Sequence, residues 1–178
     1  MKKFLIFIFF SCVQMYIQAQ PLITRNGYIW FFSETPLEDI KAENHQVNAA
    51  IDPFKKTIAF AVLMKGFLFD KDLMQEHFNE HYIESDKYPK ASFTGSYAGE
   101  VNLKQNGSYP IVVKGQLTLH GVTKTILIPA TLDVQAGKLT GRAKFNVKPS
   151  DYKIKIPALV RDKIAQHIQV AVKVNYNL

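Results

Sequence analysis

The sequence predicts an all-β protein, folded as an up-and-down antiparallel barrel of about eight strands with one or two short helices. Apolar and polar residues alternate with a period of two along much of the chain, which is typical of strands with one buried and one exposed face. Glycine-containing hairpin signals at 106–108, 120–123 and 135–138 separate alternating segments. Consecutive hairpins with one apolar face close most simply into a barrel, and a two-sheet sandwich is the alternative.

The strands are predicted in chain order from these patterns. Residues 27–33 and 57–69 are apolar on both faces, and 45–52 is a shorter candidate between them. The clearest alternation lies in five later segments, at 91–97, 109–121, 126–134, 139–147 and 168–176. A further short strand is predicted at 152–156. Gly66, inside an apolar run, predicts a bulge or a bend in its strand.

Two short helices are predicted. Residues 71–82 place apolar side chains on one side at helical spacing, with Asp70 as the N-cap residue. Residues 36–43 are predicted to form a short turn of helix.

Residues 1–19 have the pattern of a secretory signal peptide, and 20–178 are predicted as one β-barrel domain. Two lysines precede the apolar run 4–10, and Ala19 is the small residue before the predicted cleavage site. The run is too short for a spanning helix of about 20 residues, although an uncleaved anchor is the alternative. Cys12, the only cysteine, allows a second alternative, a lipoprotein acylated at this residue. The protein is therefore expected to be exported, either periplasmic or secreted.

The positive charge of the chain does not predict nucleic-acid binding. The formal net charge is +7, and because two of the 22 basic residues and none of the 15 acidic residues lie in 1–19, residues 20–178 carry +5. The basic side chains are scattered on polar strand faces, away from the aromatic residues that would stack on bases. They are Lys114, Arg142, Lys144, Lys153, Lys155 and Lys173. Contact with an anionic membrane surface is a role that such residues could serve.

One motif suggests metal chemistry. His77, Glu80 and His81 match the H-x-x-E-H pattern of inverted zinc proteases, with two histidines four residues apart on a helix. Such a site needs a third ligand from another helix, and the rest of the chain is predicted as strands. The chain also lacks a G-x-S-x-G elbow and a glycine-rich phosphate loop. No catalytic residue, metal or cofactor is predicted, and a zinc-dependent hydrolase using this helix is kept as an alternative.

The apolar faces of the strands are the best functional indication. If the sheet closes, these side chains point into the lumen, which would suit a long apolar ligand or would be a filled core. The predicted lumen residues are Phe60, Val62, Met64, Phe93, Tyr97, Ile111, Val113, Leu117, Leu119, Ile126, Ile128, Leu132, Phe145, Val170, Val172 and Val174. Periodicity alone leaves both interpretations open.

Three segments resemble the YceI-like family. Residues 115–124 read GQLTLHGVTK, close to the family hallmark G-x-L-T-[LI]-H-G-V-T-K, and 88–93 (YPKASF) and 151–154 (DYKI) are similar to two further family elements in the same order. The resemblance covers about residues 25–177. It implies a lipocalin-like barrel, usually exported, that holds a polyisoprenoid or similar long-chain lipid and has no catalytic residues.

The resemblance also implies roles for single residues. Phe93, Leu117, Leu119 and Ile154 would face the interior. His120, Gly121, Thr123 and Lys124 carry over as motif residues at a hairpin, where His120 either braces the turn or contacts a ligand headgroup. The chain departs from the family at 27–33, where an early histidine motif is missing.

The hypothesis is therefore an exported, non-enzymatic protein that binds an isoprenoid or another long-chain apolar lipid in its lumen. A packed barrel that acts as a stress-linked or interaction module, without a ligand, is the other alternative. The protein is expected as a monomer or a homodimer.

Overall fold

A single antiparallel sheet of nine strands forms the wall of the molecule. The structure is a computed structural model that describes residues 20–178. The strands are β1 (Leu22–Glu34), β2 (Asp39–Asp52), β3 (Thr57–Leu63), β4 (Leu68–Phe69), β5 (Lys90–Ala98), β6 (Gly107–Leu119), β7 (Val122–Gln135), β8 (Lys138–Val147) and β9 (Ile168–Asn177). One α-helix, α1 (Asp72–His77), continues into a π-helical turn, Phe78–Tyr82. Three short 3₁₀ segments lie at Met64–Gly66, Pro149–Tyr152 and Ala158–Lys163.

The sheet closes on itself. Its order is β1-β9-β8-β7-β6-β5-β3-β2-β4, and β1 also pairs with β2, from Leu22 opposite Ile51 to Glu34 opposite Asp39. Eight long strands therefore form a closed antiparallel barrel, and the two-residue β4 continues the wall where it pairs with β2. This confirms the predicted fold class, because closure leaves no edge along most of the wall and forces alternate side chains inward.

Two hairpins have the tight turns that their sequences predict. His120 and Gly121 connect β6 to β7 with φ values of 50° and 72°, and Ala136 and Gly137 connect β7 to β8 with φ values of 49° and 74°. Two successive residues with positive φ are typical of the type I′ turn, whose twist matches that of the paired strands. These turns set the register of three consecutive strands.

Three sequence predictions of secondary structure are wrong. Residues 36–43 are not helical, because β2 begins at Asp39 and pairs with β1 along its length. Residues 152–156 form no strand, since Tyr152 ends a 3₁₀ turn and the chain after it runs irregularly. Asp70 does not cap the helix, whose N-cap residue is Lys71 and has no side-chain capping bond. In these three cases, sheet pairing or packing determined the backbone conformation and overrode the local propensity of the residues.

The predicted strand 57–69 is interrupted at its middle. After β3 ends at Leu63, the backbone turns through Met64–Gly66 before it pairs again as β4. The buried Asn44 holds this corner, since its side-chain amide donates to the Leu63 carbonyl at 3.0 Å. A Cβ on Gly66 would lie 2.7 Å from Asn44 Nδ2, so a larger residue here would displace the Asn44 side chain from its hydrogen bond. The bend predicted at Gly66 is thus present, as a change of strand.

The wall is open between β7 and β8 at one end of the barrel. Their pairing stops at Ala130 opposite Ala143, whereas β6–β7 pairing continues to Val122 and β8–β9 pairing to Val147. Pairing ends next to Pro129, which has no N–H to donate to a ladder.

The interior has two apolar clusters. One includes Ile51, Leu139 and Tyr176, and the other surrounds Met64 and Tyr152. Phe60 and Leu117 contact both clusters. The core of the barrel therefore continues from one cluster to the other.

Strands β5 and β6 approach closely at a pair of facing glycines. A Cβ on Gly115 would lie 2.4 Å from the Thr94 carbonyl oxygen and 2.7 Å from the Gly95 Cα. We expect Gly115→Ala to lower the free energy of unfolding by about 1–3 kcal/mol, because backbone atoms must move apart. Urea denaturation measures the change.

Gly107→Ala, in the same strand, is the matched control. Its Cβ would meet the end of the Tyr109 side chain at 3.2 Å, and this side chain can move. An equal decrease in the free energy of unfolding in the two variants would contradict the explanation by close approach of the backbones.

Candidate functional site

The main cavity of the barrel lies at the end near α1 and has a volume of about 510 Å³. Its wall is apolar and comes from strands on several sides of the barrel, from α1 and from the 3₁₀ turn 158–163. The residues of this wall include Ile29, Phe31, Val62, Met64, Phe67, Phe69, Phe78, Leu117, Leu119, Phe145, Ile154, Ile164 and Val170.

A smaller cavity of about 130 Å³ lies beside it, among residues of the first apolar cluster. Ile29, Val62, Ala91, Leu117 and Phe145 line both cavities. Because these side chains are shared, a chain-like molecule in the main cavity would need only side-chain movement to reach the inner one. The two cavities together form an elongated apolar space along the barrel.

An aromatic cluster covers the main cavity on the side of α1. The ring of Phe78 lies 5.1 Å from Phe69, 5.5 Å from Phe31 and 5.9 Å from Phe67, between ring centroids. These distances and the tilted arrangements are those of favourable aromatic pairs. Phe78 thereby attaches the helical segment to β1 and β4.

The exposed members of the wall mark the mouth of the cavity. Lys71 and Leu73 lie on the helical side and Lys163 on the side of the turn 158–163. Two contacts hold the rim: Lys71 Nζ lies 3.2 Å from Glu38 Oε1, and the backbone N–H of Ala165 donates to Ser33 Oγ at 2.8 Å. The mouth is therefore framed by α1, the β1–β2 connection and the turn 158–163.

Most of the predicted lumen residues lie on one of the two cavities. Val62, Leu117 and Phe145 line both. The main cavity also has Met64, Leu119, Ile154 and Val170 on its wall, and the inner cavity has Phe60, Phe93, Ile111, Val113, Ile126, Ile128, Leu132, Val172 and Val174. Contact of these residues with a ligand stays a prediction. Tyr97 lines neither cavity and packs in the first apolar cluster.

Sequence reasoning missed the aromatic wall of the main cavity. Phe31, Phe67, Phe69 and Phe78 were not among the predicted lumen residues, although 27–33 and 57–69 are conspicuously apolar on both faces. Strict alternation assigns one face of a strand to the lumen, and these segments bend or end within the wall. The amphipathic pattern of 71–82 was the signal that could have indicated a cover over the barrel end.

His120 is buried and braces the barrel end. Its Nε2 lies 2.8 Å from Glu84 Oε2, and its Nδ1 lies 3.0 Å from the Tyr152 carbonyl oxygen. Each ring nitrogen therefore faces an oxygen atom that can accept a hydrogen bond. The ring lines neither cavity, so its contacts are those of a brace between three segments.

The other motif residues support the same brace. The Tyr88 ring lies 4.3 Å from the His120 ring, and a Cβ on Gly121 would lie 2.6 Å from Tyr88 Cε1. Lys124 Nζ lies 3.4 Å from Asp151 Oδ1. A further contact joins the Thr123 and Thr118 hydroxyls at 2.8 Å across the hairpin.

The three segments of the sequence resemblance therefore meet at one place. Residues 88–93, 115–124 and 151–154 contribute Tyr88, His120 and Tyr152 to the brace. Side chains of the same segments, Ala91, Leu117 and Ile154, line the main cavity. The motif residues thus hold the three segments together, and other residues of the same segments form part of the cavity wall.

Burial keeps the tyrosines near the cavity neutral. Burial raises the pKa of Tyr82, which lies on the main cavity. Burial and, to a smaller extent, the Asp151 carboxylate raise the pKa of Tyr152. Both phenols therefore remain protonated at neutral pH, and neither places a negative charge at the apolar space.

The wall opening between β7 and β8 contains a cleft of about 310 Å³ on the outside of the barrel. Leu117 and Phe145 line this cleft as well as both cavities. Both side chains are half-buried, and each lies between the cleft and the two cavities.

The zinc alternative lacks a third ligand. The rings of His77 and His81 lie 5.5 Å apart between centroids. Within residues 20–178, no group of three histidine, cysteine or carboxylate side chains is arranged to hold a metal ion. His77 instead lies on the main cavity.

Comparison with known proteins identifies the family. A family model described as the YceI-like domain matches residues 31–176. The chain belongs to the YceI-like family. The match begins within β1, extends over the following strands to residue 176 in β9 and confirms the resemblance found in the three motif segments.

Solved structures share this YceI-like fold. A polyisoprenoid-binding domain from Saccharophagus degradans, implicated in plant cell wall breakdown, is 16% identical with a TM-score of 0.73, over 88% of this chain and 97% of that chain. BcnA from Burkholderia cenocepacia is 16% identical with a TM-score of 0.72, over 85% and 96%. A YceI protein from Campylobacter jejuni is 17% identical with a TM-score of 0.59, over 100% and 99%. At these identities, the likeness shows the fold.

No curated protein sequence matches this YceI-like chain. In the part of the chain that the structure describes, no helix has the length and hydrophobicity needed to cross a bilayer.

The contact between His120 and Glu84 can be tested by a double-mutant cycle. We expect His120→Ala to lower the free energy of unfolding by about 1–3 kcal/mol, because it removes one buried and one partly buried contact and leaves the Tyr152 carbonyl without this partner. The coupling with Glu84→Ala should exceed about 1 kcal/mol in urea denaturation.

The Lys71–Glu38 pair is the control for this cycle. Its lysine is exposed, so a coupling below about 1 kcal/mol is expected. If the His120–Glu84 coupling is no larger, the brace does not stabilise the barrel end.

Proposed function

We propose that this YceI-like protein binds a long-chain apolar lipid, such as an isoprenoid, inside its barrel. The observation that supports the proposal is the elongated apolar space formed by the cavities of about 510 and 130 Å³. Ligand sites in proteins typically measure about 300–1,000 Å³. The polyisoprenoid-binding domain that shares the fold supports the same class of ligand.

The binding energy would come from the burial of apolar surface. Transfer of hydrocarbon from water contributes about 25 cal/mol per Å², less the cost of ordering the chain. A flexible isoprenoid suits the narrow passage where Leu117 and Phe145 stand between the cavities. A packed barrel without ligand is less well supported. Protein interiors are close-packed, so a barrel without a ligand is expected to fill a volume of this size with side chains.

The protein is proposed to act by binding, without catalysis and without a cofactor other than the lipid. The wall of the cavity offers mainly hydrocarbon and aromatic surface. The polar groups lie at the mouth, where Lys71, Lys163 and His77 could face a lipid headgroup.

Export is part of the proposal. The predicted signal peptide and Cys12 lie outside the described residues, so the proposal rests on the sequence of 1–19. An exported lipid carrier would take its cargo from a membrane and shield the cargo from water in transit. The oligomeric state, monomer or homodimer, remains a prediction.

Lipid loading can be tested with a variant that fills the cavity. Ala91 lines both cavities, so Ala91→Phe should place a ring in the passage between them. We expect the wild-type protein to release a long-chain lipid on organic extraction, and the variant to release at least about tenfold less, as shown by mass spectrometry. A loss of this size corresponds to about 1.4 kcal/mol.

Thr94→Phe is the matched control, since Thr94 lies on the same strand with an exposed side chain. It should leave the loading unchanged, and circular dichroism should show that both variants fold. Absence of any extractable lipid from the wild-type protein would favour the packed-module alternative.

Processing can be tested by expression of the full chain in a Gram-negative host. We expect the protein in the periplasmic fraction or the medium, with an intact mass that begins at Gln20. Ala19→Phe should slow the cleavage, because the processing site needs a small residue. A mass that begins at an acylated Cys12, abolished by Cys12→Ser, would instead show the lipoprotein.

A further inference from the structure

The turn 158–163 presents an unusually exposed leucine beside the cavity mouth. Leu159 is 94% exposed, whereas its neighbour Val160 lies on the wall of the main cavity together with Lys163. A single exposed leucine is ordinary on a protein surface. Leu159 differs from such residues because it lies beside an apolar cavity and within a basic segment of the chain.

The chain around this leucine is basic and its cations are free. Five basic side chains lie between 148 and 163, against two acidic ones, and one of the acids, Asp151, is paired with Lys124. Among the described residues, none of the five forms an ion pair. They are Lys148, Lys153, Lys155, Arg161 and Lys163.

The turn between β2 and β3 offers a useful contrast. Phe54 is also highly exposed, at 74%, and two lysines follow it. Both lysines are paired with acids, however, Lys55 with Asp52 at 3.7 Å and Lys56 with Glu100 at 2.7 Å. Exposed apolar surface and unpaired positive charge therefore occur together beside the mouth and not at this turn.

The helical side of the mouth has the opposite charge. Leu73 is 61% exposed there, and Asp70, Asp72 and Glu76 lie within three residues of it in the sequence. The one lysine of this segment, Lys71, is paired with Glu38. An anionic surface would attract the turn 158–163 and repel α1. The mouth would then meet such a surface at a tilt, with the basic turn toward it.

We propose that the turn 158–163 docks the cavity mouth onto an anionic bilayer. Leu159 inserts among the acyl chains, and Lys155 and Arg161 contact the phosphates, since long basic side chains keep their charges at the interface. The continuity of this surface with the lipid cavity favours a bilayer over a protein partner. The proposal extends the proposed function, because it identifies how the cargo reaches the barrel.

Vesicle sedimentation tests the docking directly. The purified exported protein should bind vesicles of phosphatidylcholine mixed with phosphatidylglycerol, and should bind phosphatidylcholine alone much more weakly. Leu159→Gln, and Lys155→Gln combined with Arg161→Gln, should each reduce binding by at least about tenfold. Added salt should weaken the binding of the wild-type protein.

Two further variants make the test specific to this surface. Phe54→Gln combined with Lys55→Gln alters the similar turn between β2 and β3 and should leave binding unchanged. Asp72→Asn combined with Glu76→Gln removes repulsion at the helical side and should increase the binding. Loss of binding in the first of these variants, or equal binding to both kinds of vesicle, would overturn the proposal.

A fluorescence measurement covers the case in which Leu159→Gln impairs folding. Leu159→Trp keeps a large apolar side chain, and Trp30→Phe removes the only natural tryptophan. In this background, brominated lipids should quench the new indole fluorescence if the turn enters the bilayer. Unquenched fluorescence with vesicles bound would show that another surface binds.

Docking and lipid binding can fail separately. If lipid can be extracted from the protein but the protein does not bind vesicles, the docking proposal is rejected and the lumen proposal stands. If the protein binds vesicles but contains no extractable lipid, the lumen proposal is rejected and the docking proposal stands. A dimer in sedimentation experiments without vesicles, dissociated by the Lys155 and Arg161 substitutions, would show that a second copy covers the turn and would also overturn the docking.

Discussion

Closure of the sheet by the pairing of β1 with β2 is the constraint on which the rest of this structure depends. An alternating strand has an apolar face that must be removed from water, and a closed barrel does this with one layer of backbone. Once the wall is closed, the inward residues have a limited volume to fill. At one end, large side chains such as Tyr97 and Leu139 occupy most of it and leave a cavity of about 130 Å³. At the other end, the strands diverge and β3 ends early, so the same inward pattern surrounds empty space.

The open end is usable only because other segments cover it. The helical segment after β4 is held by the aromatic contacts of Phe78, and the chain after β8 is held by the His120 contact with the Tyr152 carbonyl. The aromatic contacts are themselves part of the apolar wall, so they cover the cavity and line it at once. The polar contact of His120 lies off the wall and places no polar group in the apolar space.

A lipid carrier has to reconcile an apolar interior with a polar surface, and here the two meet at the mouth. The charge of the mouth is uneven, with acids on the side of α1 and unpaired cations on the side of the turn 158–163. The net charge of the chain conceals this asymmetry, because scattered lysines elsewhere contribute most of the total. Orientation at a membrane would depend on this local distribution and on Leu159, rather than on the overall charge.

The sequence by itself determined the class of fold, the family and most of the residues that face the interior, because a period of two translates directly into inside and outside in a closed sheet. It also located the hairpins at His120-Gly121 and Ala136-Gly137, whose positive φ values are a local property. Only the tertiary structure decided that a strand begins at Asp39 within 36–43, that Phe31 and Phe78 wall the cavity, and that His120 is buried against Glu84. These features depend on contacts between segments distant in sequence, and no local pattern of residues records the distance between them.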